Sequence, residues 1–154
     1  MVSIERTNSK NQDFKKLVVL LDAYLRITDG DEHAFYNQYN TIENLQEVVV
    51  IYSENLAVGC GAIKPYDSDT AEIKRMFVLP EARGKGLATQ ILTALEQWAG
   101  ELNYKKCILE TGKRQPEAIA LYTKAGYTVI PNYGQYQRME NSVCFQKQVF
   151  EQRN

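Results

Sequence analysis

AEIKRMFVLPEARGKGLA (residues 71–88) joins a β-rich run ending at Leu79-Pro80 to a helix that opens after Arg83-Gly84-Lys85-Gly86-Leu87-Ala88. A strand that feeds a glycine-rich turn and then a helix start can hold phosphate. Unpaired backbone N–H groups converge there, the helix dipole favours negative charge, and glycine lets the backbone approach a ligand closely.

Upstream, Val2–Thr7 reads as a short strand, and Phe14, Leu17, Val18, Leu21, Tyr24 and Leu25 recur at helical spacing over about 11–27. Asp29-Gly30-Asp31 breaks that helix, and Asp31 is placed to cap a second, short one carrying Phe35, Tyr36 and Tyr39. Gln46–Ser53 and Leu56–Lys64 are β-rich runs around Glu54-Asn55, a tight hairpin signal. A turn from Pro65 to Asp69 leads into the strand Thr70–Leu79. Downstream, Leu87, Ile91, Leu95, Trp98 and Leu102 stripe a helix over about 85–101, and Lys105–Glu110 is a strand. Pro116–Lys124 is a helix with proline in its first turn and Gly126 as its stop. Tyr127–Ile130 and Val143–Phe150 close the chain as strands around the loop Pro131–Tyr136. The order β-α-α-β-β-β-α-β-α-β-β predicts a mixed α/β fold with helices on both faces of the sheet. The strand–helix–strand unit at 70–110 should pair its strands in parallel by a right-handed crossover.

At 154 residues the chain is expected to be one domain, 1–154. It is 44% hydrophobic and 24% charged, with a formal net charge of −1, which gives nucleic acid or an anionic membrane nothing to recognise. The longest apolar run, Leu17–Leu21, is far too short to span a bilayer, and the N-terminus lacks signal-peptide character, so cytoplasmic residence is expected. Cys60, Cys107 and Cys144 stand far apart in strand-like segments, the pattern of buried apolar residues rather than metal ligands. His33 is the single histidine, so no metal site or Ser-His-Asp triad is expected, and proton transfer falls to carboxylates, tyrosines, lysines or water.

Two phosphate motifs fail on residues 83–89. A Walker loop needs Ser or Thr after its lysine, and Gly86 follows Lys85. A dinucleotide fingerprint needs a third glycine where Thr89 stands. Arg-x-x-Gly-x-Ala fits, on Arg83, Gly86 and Ala88. This pattern, after the Glu72–Val78 strand, resembles motif A of the acetyl-CoA-dependent GNAT family of N-acetyltransferases. Glu117-Ala118-Ile119-Ala120-Leu121-Tyr122-Thr123-Lys124-Ala125-Gly126-Tyr127 resembles its motif B, and the element order matches over most of the chain. The resemblance implies a single GNAT-like domain with a central, twisted, mostly antiparallel mixed sheet. It also implies acetyl-CoA as co-substrate, with no metal. The backbone amides of Gly84, Lys85, Gly86, Leu87, Ala88 and Thr89 would hold its pyrophosphate beside Arg83. Phe77 and Val78 would pair with the pantetheine arm like an added strand, near Met76. Where the family often has asparagine, Gln115 stands, with the same amide on a longer arm.

Acetyl transfer to an amine requires deprotonation of the acceptor, a donor for the developing oxyanion and protonation of the departing thiolate. By the resemblance, Tyr122 is the acid beside the CoA sulfur; periodicity alone reads it as a core aromatic. Glu72 is the candidate base, and a salt-bridged strand charge is the equal alternative. Regular alternation would put Glu72, Lys74, Met76 and Val78 on one face, and Ile73, Arg75 and Phe77 on the other. A backbone N–H near Phe77 or Val78 is the candidate oxyanion donor.

The acceptor side of such folds is built from the first helices and the C-terminal strands. Asp29, Asp31 and Glu32 beside Phe35, Tyr36 and Tyr39, with Tyr133, Gln135 and Tyr136, would suit a small amine, an amino acid or a peptide N-terminus. A charged helix start packed by ordinary aromatics is the plainer reading. The expected partner is a small-molecule amine acceptor, with neither nucleic acid nor membrane, and a homodimer is left open. Direct transfer is expected over a Cys-acyl route, for which Cys144 is the cysteine to test. A non-catalytic CoA-binding module and a transferase of longer acyl groups are the rival readings.

Overall fold

Seven strands form one sheet in the computed structural model, which describes residues 1–30 and 44–149. The elements are β1 (Val2–Thr7), α1 (Gln12–Asp29), β2 (Glu47–Ser53), β3 (Leu56–Asp67), β4 (Thr70–Val78), α2 (Leu87–Glu101), β5 (Lys106–Gly112), α3 (Pro116–Lys124), β6 (Thr128–Ile130) and β7 (Ser142–Gln148). Single 3-10 turns lie at Pro80–Ala82 and Gly134–Tyr136. The spatial order is β1-β2-β3-β4-β5-β7-β6, so the last strand inserts between β5 and β6. Neighbours are antiparallel except β4 and β5, which pair in parallel around α2. This is the mixed sheet that the pattern predicts, and it is mostly antiparallel, as the resemblance implies. The proposed helix bearing Phe35, Tyr36 and Tyr39, with Asp31 and Glu32, lies outside the described residues, as do Phe150 and the side chain of Asp29.

Each face of the sheet has its own core. The Asn11 side chain caps α1 by accepting from the Phe14 N–H at 2.9 Å. That helix buries Phe14, Leu17, Val18 and Leu21 against Val48, Val50, Cys60, Ala62 and Phe77. On the opposite face α2 buries Leu87, Ile91, Leu92 and Leu95 against Val49, Ile51, Ile63, Ile73 and Val78. Leu102, the expected end of that stripe, sits at the C-cap and is exposed. Contact between α2 and β3 is close enough that a Cβ on Gly61 would lie 2.7 Å from Met76 Sδ and 2.9 Å from Ile91 Cγ2. The β2–β3 hairpin turns on Glu54 and Asn55, with φ of 51° and 69°, the left-handed pair that a two-residue turn requires.

Two expectations are corrected. Pro65 does not begin a turn: β3 runs on through it to Asp67, and Pro65 pairs with Ala71. The β2 partner ends opposite Ile63, so beyond that point β3 is an edge on that side and needs no N–H from proline. Regular alternation along β4 also fails. Cys60 faces Phe77 and Ala62 faces Lys74, so two residues, Arg75 and Met76, stand opposite Gly61 alone. Arg75 adopts φ 61° at this bulge. The α1 face therefore carries Glu72, Lys74, Arg75 and Phe77, and Met76 joins Ile73 and Val78 on the α2 face.

Candidate active site

The parallel pairing of β4 with β5 covers only Thr70↔Lys106, Ala71↔Cys107 and Glu72↔Ile108. Beyond Glu72 the two strands separate, and a cleft opens between them that α1 and α3 flank. A cavity of about 390 Å³ occupies one end, lined by Met76, Phe77, Val78, Arg83, Gly84 and Gly86 and by Leu87, Ala88 and Thr89 of α2. A smaller one of about 120 Å³ occupies the other end, with Glu72, Lys74, Arg75, Glu110, Thr111 and Tyr136. Leu21, Met76, Gln115, Ala118 and Tyr122 line both, so the two spaces meet at Tyr122.

The larger cavity ends on the glycine loop. Gly84 and Gly86 have φ of 81° and 77°, and nothing lies within 4 Å of where a Cβ would stand on either. Among the described residues, no N–H from Gly84 to Thr89 donates to a backbone carbonyl, and α2 has no side-chain cap. That leaves a run of donors at the positive end of a helix dipole. Arg83 braces the loop, its Nε donating to the Val78 carbonyl at 3.0 Å while its guanidinium lies 5.4 Å from the Tyr24 ring centroid and 5.8 Å from that of Phe77. Lys85 is exposed and does not line the cavity. The β4 edge past Glu72 makes no pairing with β5, so its peptide groups can take an added extended chain.

Tyr122 projects from α3, a helix started by Pro116 at its first turn and stopped by Gly126 at φ 99°. Its ring packs edge-on to Tyr127, 5.8 Å between centroids, and against Phe145 at 6.1 Å. Behind it the Tyr127 hydroxyl donates to Glu96 at 2.9 Å, and Glu96 is paired with Lys147 at 3.0 Å. The Tyr122 hydroxyl itself has no hydrogen-bond partner among the described residues. Burial, and then the Glu110 carboxylate, push its pKa above the ordinary phenol value, so it keeps its proton at neutral pH.

In the smaller cavity Glu72 is buried and its Oε2 accepts from the Tyr133 hydroxyl at 2.7 Å. Tyr133 is held in turn by T-shaped contacts with Tyr66 and Tyr136, at 5.3 and 5.7 Å. Its loop is pinned by the Asn132 amide, which donates to the carbonyls of Tyr136 and Met139. Burial lowers the Lys74 pKa against the opposing pull of Glu72 and Glu110. Sequence reasoning missed Glu110, whose Oε2 accepts from Ser142 at 2.7 Å across the β5–β7 pair. One signal was present: Glu110 is the lone charge in the run Cys107–Gly112. Gln115, in place of asparagine, stands between the cavities with Nε2 3.3 Å from a Cβ position on Gly112. Cys144 is fully buried, and burial raises its thiol pKa to about 11, so it is not poised as a nucleophile.

The family model described as "Acetyltransferase (GNAT) family" matches residues 14–127. The chain belongs to the GNAT family. The uncharacterized N-acetyltransferase YjgM of Escherichia coli (strain K12) is 41% identical over 99 residues, covering 54% of this chain and 59% of YjgM. Azospirillum brasilense IAA acetyltransferase is 32% identical over 143 residues, covering 88% of this chain and 90% of that one. A Klebsiella pneumoniae protein provisionally designated an acyl-CoA N-acyltransferase superposes with a TM-score of 0.81 at 32% identity, covering 97% and 99% of the two chains. A GNAT acetyltransferase from Elizabethkingia anophelis, solved with acetyl-CoA bound, shares the fold at TM-score 0.69 and 21% identity, over 96% and 97% of the chains. The acetyl-CoA held by that neighbour carries a pyrophosphate. The open left-handed glycines and unbonded N–H run of Gly84–Thr89 fit such a diphosphate ester.

Proposed function

We propose that this chain transfers the acetyl group of acetyl-CoA directly to the primary amine of a small molecule, as a single cytoplasmic domain. The observation that carries this reading is the meeting of the two cavities at Tyr122, one ending on bare backbone donors and the other on carboxylates. The donor's pyrophosphate lies on the Gly84–Thr89 amides, and its pantetheine arm runs along Met76, Phe77 and Val78. Glu72 takes a proton from the acceptor ammonium, directly or through water. The amine lone pair then attacks the thioester carbonyl carbon, and a backbone N–H near Phe77 or Val78 faces the charge that develops on its oxygen. The carbon–sulfur bond breaks, Tyr122 gives its proton to the departing thiolate, and the second proton of the acylated nitrogen passes through water to restore the Tyr122 phenol. The products are an N-acetyl amine and free CoA.

The test is thiol release from acetyl-CoA over a panel of polyamines, amino acids, aminoglycosides and peptides, beside calorimetric binding of acetyl-CoA. Release with at least one class of amine is expected. Binding without release on any acceptor would point instead to a CoA-binding regulatory module, and failure to bind CoA would remove both readings.

A further inference from the structure

The smaller cavity carries charge of both signs. Glu72 and Glu110 line it together with Lys74 and Arg75. A regular strand would send two consecutive side chains to opposite faces, but the bulge at Arg75 turns both cations to the same side. Nη1 of Arg75 is held by Asp22 at 2.9 Å. Nη2, on a side chain only 3% exposed, is buried without a hydrogen-bond partner among the described residues. Nη2 is closed to solvent, so Arg75 bears on the cavity through its charge, which favours an anion there. Lys74, next to it, is partly buried, with the fields of Glu72 and Glu110 acting on it. A polycation entering this space would meet two fixed cations. A molecule carrying one cation and one anion would find a partner for each.

We propose that the acceptor is an amino-carboxylate of the size of a free α-amino acid, with its carboxylate on Lys74, in the field of Arg75, and its amine towards Glu72 and Glu110. This rests on the acetyl-transfer reading for the chemistry, but not for the binding. It makes Lys74 a specificity-determining residue that acts on the acceptor alone. Tyr133 and Ser142, each donating at 2.7 Å to one of the two carboxylates, orient the ammonium side.

The experiment compares free α-amino acids with their α-amides and with the amines that lack the carboxylate. Thiol release and calorimetric binding to the protein saturated with CoA are both read. Some free acid should exceed its amide by about 10- to 100-fold in kcat/KM, the worth of a charge-assisted contact. Lys74→Gln should bring that ratio close to one, and Lys74→Arg should restore much of it. Amides and simple amines used as well as every free acid would overturn the proposal, as would a Lys74→Gln variant that keeps the ratio. Should that variant not fold, the wild-type ratio decides alone. Binding of a free amino acid, in preference to its amide, without thiol release would sustain this proposal and remove the transferase reading. Release from simple amines with no preference for the acid would do the reverse. Neither binding nor release would overturn both.

Discussion

The Tyr133 hydroxyl donates to Oε2 of Glu72 at 2.7 Å, joining the loop before β7 to the first half of β4 across 61 residues of sequence. One side chain thereby ties the proposed acceptor loop to the proposed base. Tyr133→Phe removes the hydroxyl and keeps the ring contacts with Tyr66 and Tyr136. A hydrogen bond to a charged group is worth about 1.5–3 kcal/mol, so kcat/KM for the acceptor should fall about 10- to 100-fold. Calorimetry should show acetyl-CoA affinity unchanged, because Tyr133 lies outside the larger cavity. A loss of donor affinity would place Tyr133 in a general structural role instead.

The Asp22–Arg75 pair fastens α1 to the β4 bulge at 2.9 Å. Asp22→Ala leaves the Arg75 cation buried without its counter-charge. Breaking a fully buried pair costs about 3–5 kcal/mol. Asp22 is 32% exposed, and solvent screens the pair, so a loss of about 1–3 kcal/mol is expected. Urea unfolding reads it as a lowered midpoint with an unchanged slope. An unmoved midpoint would show that the pair does not hold the helix.

Gly86 precedes α2 at φ 77°, with open space where a Cβ would stand. Gly86→Val therefore meets no clash but forces a branched residue into the left-handed region, at about 1–2 kcal/mol. The loop relaxes out of that conformation and the N–H donors at the start of α2 lose their convergence. Acetyl-CoA affinity should fall while circular dichroism stays native. Native affinity in this variant would argue against the loop as the pyrophosphate site.

Burial raises the pKa of Cys60 and Cys107 from 9.0 to about 12, of Cys144 from 9.0 to about 11, and of Tyr52 from 10.0 to about 12. The folded chain thus holds protons that the unfolded chain releases. The associated stability is fully present below about pH 9 and is lost as pH climbs through 9 towards 12. Melting temperature should fall steadily above pH 9, and a flat profile would contradict this. At pH 8 the three thiols should ignore an aromatic disulfide reagent until the protein is unfolded. Cys144→Ala should retain turnover, as direct transfer requires.

Much of this architecture was legible because its signals are local. Glu54-Asn55 marks a turn by its tolerance of positive φ, and Pro116 and Gly126 bracket α3 through a missing N–H and a left-handed stop. The glycine loop was legible for the same reason. What escaped is set by partners far away in sequence. The bulge at Arg75 depends on Gly61 across the sheet and Asp22 on α1, neither visible in the alternation of β4. Pro65 stays in a strand because β2 begins only at Glu47, opposite Ile63, which is a matter of register. Glu110 became a site residue only once β4 and β5 parted beside it, and the insertion of β7 brought Ser142 to it.

Tyr122 is where the two cavities meet, and the proposed transfer needs its hydroxyl to give a proton to the thiolate. The most direct measurement is kcat of Tyr122→Phe beside its acetyl-CoA dissociation constant. General acid catalysis contributes about 10²–10⁴-fold, so kcat should fall by at least the lower figure with donor affinity unchanged. Turnover equal to that of the wild type would contradict the account.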